Sequence, residues 1–169
     1  MKKRFNIAIQ MDPLDKINPY EDSTFVIAKE AQNRGYKTFH YLPKDISLKN
    51  NKIIARGFYF KIINSNKKLF KIEKKQSVNL NNFHCVLIRQ DPPFNMEYIT
   101  ATYFLEMLNK NVMVINNPSE IRNNPEKLSM FKFKNIIPQT LISENLKEIE
   151  NFIKKKSIYY LKTDVWKWR

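Results

Sequence analysis

The sequence predicts an α/β fold with a mostly parallel sheet, followed by the start of a second unit. Three observations lead there. Short apolar runs alternate with amphipathic stretches of helical period along residues 1–124, which is the pattern of βαβ units. Two of those runs end alike, at Asp12-Pro13 and at Asp91-Pro92, and turns after parallel strands share one edge of a sheet. Near Pro125 the pattern restarts and fills residues 125–169.

Taken in order, Phe5 to Met11 is a short apolar run closed by a proline turn, which suits a buried strand. Ser23 is placed to cap a helix running to Arg34, with Phe25, Ala28 and Ala31 on one face. Glu30 and Arg34 pair at i,i+4, and Gly35 ends the helix at the C′ position. Tyr36 to Leu42 reads as a second strand. From Asp45 to Glu73 the pattern is strand-like, with hairpin turns at Asn50-Asn51 and Asn64 to Asn66. Gln76 to Asn82 reads as a polar connector. His84 to Arg89 is the next strand, stopped by Gln90-Asp91-Pro92-Pro93. Met96 to Asn109 reads as a helix with Tyr98, Ala101, Leu105 and Leu108 on one face, and Val112 to Asn116 as another strand. Beyond Pro125, Glu126 to Phe133 reads as helix and Pro138 to Ile142 as strand. Ser143 then caps a helix on which Leu146, Ile149 and Ile153 align, and Ser157 to Lys162 is a final strand.

Composition bounds the function. The 169 residues are 43% hydrophobic and 27% charged, ordinary for a globular protein. A net charge of +14 raises the question of nucleic acid. The cations are spread along the chain, however, and Lys far outnumbers Arg, the residue suited to bidentate readout of bases. The abundance of Lys, Asn and Ile fits AT-rich coding, so nucleic acid is not the expected partner. No apolar run approaches the roughly 20 residues of a membrane span. The run after Met1-Lys2-Lys3-Arg4 is too short and polar for a signal peptide. A cytosolic protein without a membrane partner is expected. The single cysteine, Cys85, excludes an internal disulfide and reads as a small buried core residue, not a nucleophile, because adjacent His84 points to the opposite face of its strand.

Several chemistries are excluded by what is missing. With only Gly35 and Gly57, neither a Walker loop nor a GxGxxG turn can form. No His, Cys and carboxylate cluster has metal-ligand spacing, and no carboxylate pair suggests a glycosidase. No catalytic residue and no metal ligand is assigned. What remains is the sheet edge. Each Asp-Pro step alone is an ordinary turn. Two together, at Asp12 and Asp91 with Arg89 beside the second, mark a binding edge for a charged small molecule, where Arg89 can clamp a carboxylate bidentately. A surface ion pair is the competing reading of Arg89.

Segments in order along the chain resemble the bacterial glutathione synthetase family. They are Met11-Asp12-Pro13-Leu14-Asp15-Lys16-Ile17-Asn18, Asp22-Ser23-Thr24-Phe25 and Glu30-Ala31-Gln32-Asn33-Arg34-Gly35. The most specific is Leu87-Ile88-Arg89-Gln90-Asp91-Pro92-Pro93-Phe94-Asn95-Met96-Glu97-Tyr98-Ile99, followed by Ala101-Thr102-Tyr103, Val114-Ile115-Asn116-Asn117-Pro118 and Asn124-Pro125-Glu126-Lys127-Leu128. The resemblance implies a Rossmann-like pre-ATP-grasp domain over residues 1–124 and the truncated start of an ATP-grasp domain over 125–169. It implies a carbon–nitrogen ligase that joins γ-glutamylcysteine to glycine with ATP and Mg2+ through an acyl phosphate, and a homo-oligomeric full-length enzyme. Arg89 and Asp91 fall on the substrate side, where the shared edge adds Asp12. Lys127 matches a lysine that approaches the ATP phosphates. Lys162 matches the lysine opening the family's Lys-Pro-x-x-Gly-x-Gly-Gly segment.

The sequence departs from the family in three places. Gln90 stands where Lys is usual and Asn95 where Asp is usual, altering the charge of that loop. After Lys162, Thr163-Asp164-Val165-Trp166-Lys167-Trp168-Arg169 replaces the proline and glycines. Deleting one A from codons for this tail restores Lys-Pro-Met-Tyr-Gly-Asn-Gly-Gly, so a single-nucleotide frameshift is the expected origin of the tail, and the nucleotide sequence tests it. The chain alone is then expected to lack ligase activity. Two other readings stand beside this one: a non-catalytic basic nucleic-acid-binding protein, and a module that binds the dipeptide without turnover.

Overall fold

A computed structural model describes residues 5–65 and 68–154. Seven strands form one sheet: β1 (Asn6–Gln10), β2 (Lys37–Lys49), β3 (Lys52–Ser65), β4 (Lys68–Ile72), β5 (Gln76–Asn79), β6 (Cys85–Ile88) and β7 (Met113–Ile115). Their order is β4-β3-β2-β1-β6-β7, with β5 also pairing β3. Strands β2, β1, β6 and β7 are mutually parallel, while β3 pairs antiparallel with β2, β4 and β5. This is a mixed α/β fold whose parallel half carries the helical crossovers.

Helix α1 (Ser23–Asn33) joins β1 to β2, and α2 (Met96–Glu106) joins β6 to β7. The two connections step away from the sheet centre in opposite directions. The carboxyl ends of β1 and β6 therefore flank the point where strand order reverses, which is where open α/β sheets bind ligands. Alternation along β1 explains the two-sided core. Ala8 packs with Phe39, Val86, Ala101 and Leu105 on the α2 side. Ile9 packs with Leu14, Phe25, Ala28 and Leu87 on the α1 side. Among the described residues no helix is long and apolar enough to cross a membrane.

Local chemistry accounts for the boundaries. The α1 cap is Asp22, not Ser23: the Asp22 carboxylate accepts from the Thr24 and Phe25 N–H groups at 2.6 and 3.1 Å. An ionised carboxylate there satisfies orphan donors and meets the positive end of the helix dipole. Gly35 follows the helix with φ +84, and Arg34 pairs with Glu30 at 2.7 Å. Asn50 and Asn51 both have positive φ (49 and 57), the geometry of a two-residue type I′ hairpin, and they join Lys49 to Lys52 across β2–β3.

Several expectations are corrected. β2 does not stop at Leu42 but runs to Lys49, bending through a register shift between Tyr41 and Ile46. The polar stretch Gln76 to Asn82 is no connector: Gln76–Asn79 pair with β3, and Leu80–Asn82 make a 3-10 turn whose Leu80 is fully buried. Residues Pro138 to Ile142 form no strand. A short helix α3 (Pro118–Asn123), capped by Asn117, was not anticipated. The expected helix at Glu126 to Phe133 is α4 (Glu126–Ser129) followed by a 3-10 turn (Met130–Phe133). In α5 (Leu146–Lys154) the capping acceptor is Asn145 rather than Ser143, because the Asn145 side-chain oxygen accepts from Lys147 N and Glu148 N. The expected strand Ser157 to Lys162 lies outside the described residues. Cys85 is half-buried, and burial raises its thiol pKa, so it is no ready thiolate. Among the described residues the last buried one is Pro118, and Leu146 of α5 is 74% exposed.

Candidate functional site

Two turns meet at the switch point. The Arg89 N–H donates to the Gln10 carbonyl at 2.7 Å and carries the β1–β6 ladder past its last strand pair. Beyond it, the Asp12 carboxylate accepts a 2.7 Å hydrogen bond from the Asp91 N–H. Asp12, Arg89 and Asp91 thus stand together on one rim. Arg89 reaches across to α1, donating from Nε to Thr24 Oγ1 at 3.1 Å and from Nη2 to Ser23 Oγ at 2.5 Å. The rim borders a cleft of about 350 Å³ whose walls include Lys16, Glu21 and Asp22 as well as Asp12, Arg89 and Asp91.

Electrostatically this cleft differs from the rest of the chain. It gathers four of the 16 acidic residues of a protein whose net charge is +14, against two cations. Partial burial, then the carboxylates of Asp12 and Asp22, push the Asp91 carboxyl above its usual range, while Arg89 pulls it back. Tyr98 at the start of α2 is raised by burial first and by Asp91 second.

Behind the rim lies a neutral layer. Gln10, fully buried, donates from Nε2 to Oε1 of Gln90 at 3.0 Å, and Gln90 is 8% exposed. Gln90 therefore points inward to Gln10 and adds nothing to the cleft wall. A neutral amide suits that burial better than a charge. Asn95 caps α2 by accepting from Tyr98 N at 3.0 Å, a job Asp does equally well. His40 Nε2 donates to the Asp12 carbonyl at 2.9 Å, and the ring stacks on Phe58 with centroids 4.7 Å apart.

His40 gives a pH dependence. Burial is the main cause lowering its pKa, opposed by the Asp12 carbonyl and the Asp45 carboxylate and supported by Lys75. The folded protein binds that proton less readily than the unfolded chain. Stability is then complete above about pH 6.5 and is lost as pH falls through the folded-state value. The urea midpoint is expected to drop between pH 7.5 and 5.5, and His40→Gln, which stays neutral and can still donate to Asp12, is expected to flatten that drop. Equal pH slopes for the two proteins would assign the acid loss elsewhere.

Sequence reasoning missed Ser23 and Thr24 as the hydroxyls that hold Arg89, and Asp22 as the cap that holds them. The signal was present as an Asp-Ser-Thr triplet opening an apolar-periodic helix. Asp22→Ala is expected to cost about 1 kcal/mol, a typical cap loss, read as a shift in the urea midpoint without a change in slope. Lys127 falls within α4, its side chain outside what is described, and Lys162 lies outside the described residues.

The family model described as prokaryotic glutathione synthetase, N-terminal domain, matches residues 5–122. The chain belongs to the prokaryotic glutathione synthetase family. A protein named glutathione synthetase from Agrobacterium fabrum is 40% identical over 152 residues, 90% of this chain and 48% of that protein. Glutathione synthetases from Buchnera aphidicola subsp. Baizongia pistaciae and Bradyrhizobium diazoefficiens are 43% and 38% identical, covering 88% and 94% of this chain. The chain spans about half the length of the curated relatives it matches.

Glutathione synthetase membership implies ATP with Mg2+. The described cleft does not fit that pair. Four carboxylates against two cations oppose a polyphosphate, and among the described residues no three His, Cys, Asp or Glu side chains group as metal ligands.

Proposed function

We propose that this chain supplies the dipeptide-holding rim of a glutathione synthetase, which ligates γ-glutamylcysteine to glycine at the expense of ATP. The observation that carries the reading is the Asp12–Asp91 hydrogen bond at the β1–β6 switch point, with Arg89 braced beside it on Ser23 and Thr24. In this reading Arg89 binds a substrate carboxylate, and Asp12 and Asp91 accept from substrate N–H groups. Hydrogen bonds hold their backbones, from the Arg89 N–H to the Gln10 carbonyl, from the Asp91 N–H to the Asp12 carboxylate and from His40 to the Asp12 carbonyl, so little ordering remains to be done on binding. Residues 1–124 form the pre-ATP-grasp domain, and 125–169 begin the ATP-grasp domain. Lys127 and Lys162 belong to the ATP side, which with Mg2+ would activate the acceptor carboxylate. The reaction is cytoplasmic, and the full-length enzyme is a homo-oligomer.

For the 169-residue chain by itself the reading means capture without turnover, since two glycines cannot build a phosphate-cradling loop. Calorimetry with γ-glutamylcysteine is expected to show binding, and incubation with the dipeptide, glycine, ATP and Mg2+ is expected to yield no glutathione. Absence of dipeptide binding combined with strong, salt-sensitive binding to DNA or RNA would replace this reading with the nucleic-acid one.

A further inference from the structure

One buried titratable side chain stands behind the rim without lining the cleft. His40 is 4% exposed and sits on β2 in register with Ile9 of β1. Phe58 covers one face of its ring, nearly parallel at 15° and with centroids 4.7 Å apart. His40 Nε2 reaches past the end of β1 to the Asp12 carbonyl at 2.9 Å. A carbonyl can only accept, so this bond places the ring proton on Nε2. Nδ1 is then a bare acceptor in the interior, buried and unpartnered among the described residues. The neutral ring fits these surroundings. A proton added at Nδ1 would bury a cation and an N–H with no acceptor. The charged groups that bear on the ring are three. The Asp45 and Asp12 carboxylates favour the added proton, and Lys75, itself paired with Asp45, opposes it. Burial outweighs the carboxylates.

The β1–β2 ladder ends one residue before Asp12, where the Met11 N–H donates to the Tyr41 carbonyl at 3.3 Å. Beyond that point Asp12 is held twice, its carbonyl by His40 and its carboxylate by the Asp91 N–H. We propose that His40 is a positioning residue for the rim, which holds the Asp12 turn closed as a neutral imidazole and releases it on taking up a proton. Release lets the charged ring turn its Nδ1–H to water, and the Asp12–Asp91 bond loses its support. The inference rests on the dipeptide reading above and adds a pH control that acts through Asp12, not on the substrate. A turn that excludes the proton when closed makes the linkage reciprocal. Acid weakens a ligand that needs the closed turn, and that ligand makes His40 harder to protonate.

The test uses the 169-residue chain, whose only histidines are His40 and His84. His84 serves as an internal reference, because its Nδ1 accepts from the Asn6 N–H at the amino ends of β1 and β6, opposite the rim. Calorimetry measures γ-glutamylcysteine affinity at about pH 7.0 and 5.5, a window in which the dipeptide keeps its own charges. Binding is expected to be several-fold weaker at the lower pH, with a ceiling of about eightfold for a histidine of ordinary pKa that must shed its proton. NMR of the ring signals is expected to show the His40 midpoint falling when dipeptide is added, while that of His84 stays. His40→Gln keeps a neutral donor for Asp12, so it is expected to retain the affinity at neutral pH and to lose the pH dependence. A histidine with a purely structural role would leave the pH dependence in place when replaced. Equal affinity at both pH values, or a loss that persists in His40→Gln, would overturn this inference and leave the dipeptide reading standing. No binding at either pH would overturn both. The ring titration needs no variant, so a His40 midpoint unmoved by bound dipeptide overturns the inference even where His40→Gln fails to fold.

Discussion

Gly57→Ala is expected to destabilise the fold by on the order of 3 kcal/mol or more, a large part of the 5–15 kcal/mol of a typical domain. A methyl group at that position would sit 1.9 Å from the His40 carbonyl oxygen and 2.9 Å from the Phe39 ring. The obstacle is backbone, so no rotamer change relieves it. Gly57 pairs with Tyr41 at the last regular step before the β2–β3 register shift, and a strand glycine commonly marks such a close approach. The effect reaches the site, because His40 donates to the carbonyl of Asp12. Urea denaturation checks the cost, and the Asp91 amide signal should move with it. A change below 1 kcal/mol would mean that β2 and β3 can separate locally.

Gln90→Met is expected to cost about 2 kcal/mol, because it strips the buried Gln10 amide of its partner without giving it water. The single Gln10–Gln90 bond already leaves Gln10 Oε1 and Gln90 Nε2 unpartnered. Removing both amides is therefore expected to do less harm than removing one. The double variant Gln10→Met/Gln90→Met should recover most of the loss, since two apolar side chains of similar length leave no polar group stranded. A double-mutant cycle by urea denaturation measures this coupling. A double variant as unstable as the sum of the two singles would show that each amide acts through separate contacts.

Much of the parallel half was legible in the sequence. β1, α1, β6 and α2 follow from apolar period alone, because each is a short element whose neighbours in sequence share its environment. The Asn50-Asn51 turn was legible for a local reason too, since Asn tolerates the positive φ that a two-residue hairpin demands. The meeting of Asp12 and Asp91 followed from topology: turns after two parallel strands fall on the same edge. Family membership was legible in the Arg89 to Phe94 segment, and the family match over residues 5–122 agrees with it.

Where the reading failed, long-range partners decided. Gln76–Asn79 carry no strand pattern, yet they become β5 because β3 offers unpaired backbone groups there. Pro138 to Ile142 carry the pattern without forming a strand, since β propensity depends on the surface a segment packs against. Asp22 displaced Ser23 as the α1 cap, which freed the Ser23 hydroxyl for Arg89.

By itself, then, the sequence determined the element types of the central βαβ units, the family, and the three charged residues of the rim. These rest on local period and on residue identity, which a linear string preserves. Only the tertiary structure decided that Arg89 is held by hydroxyls instead of a carboxylate, that Gln90 turns inward to Gln10, and that Gly57 must lack a side chain. Each of those depends on which atoms lie within about 3 Å across a gap of many residues, a distance that is set when the sheet closes and not before.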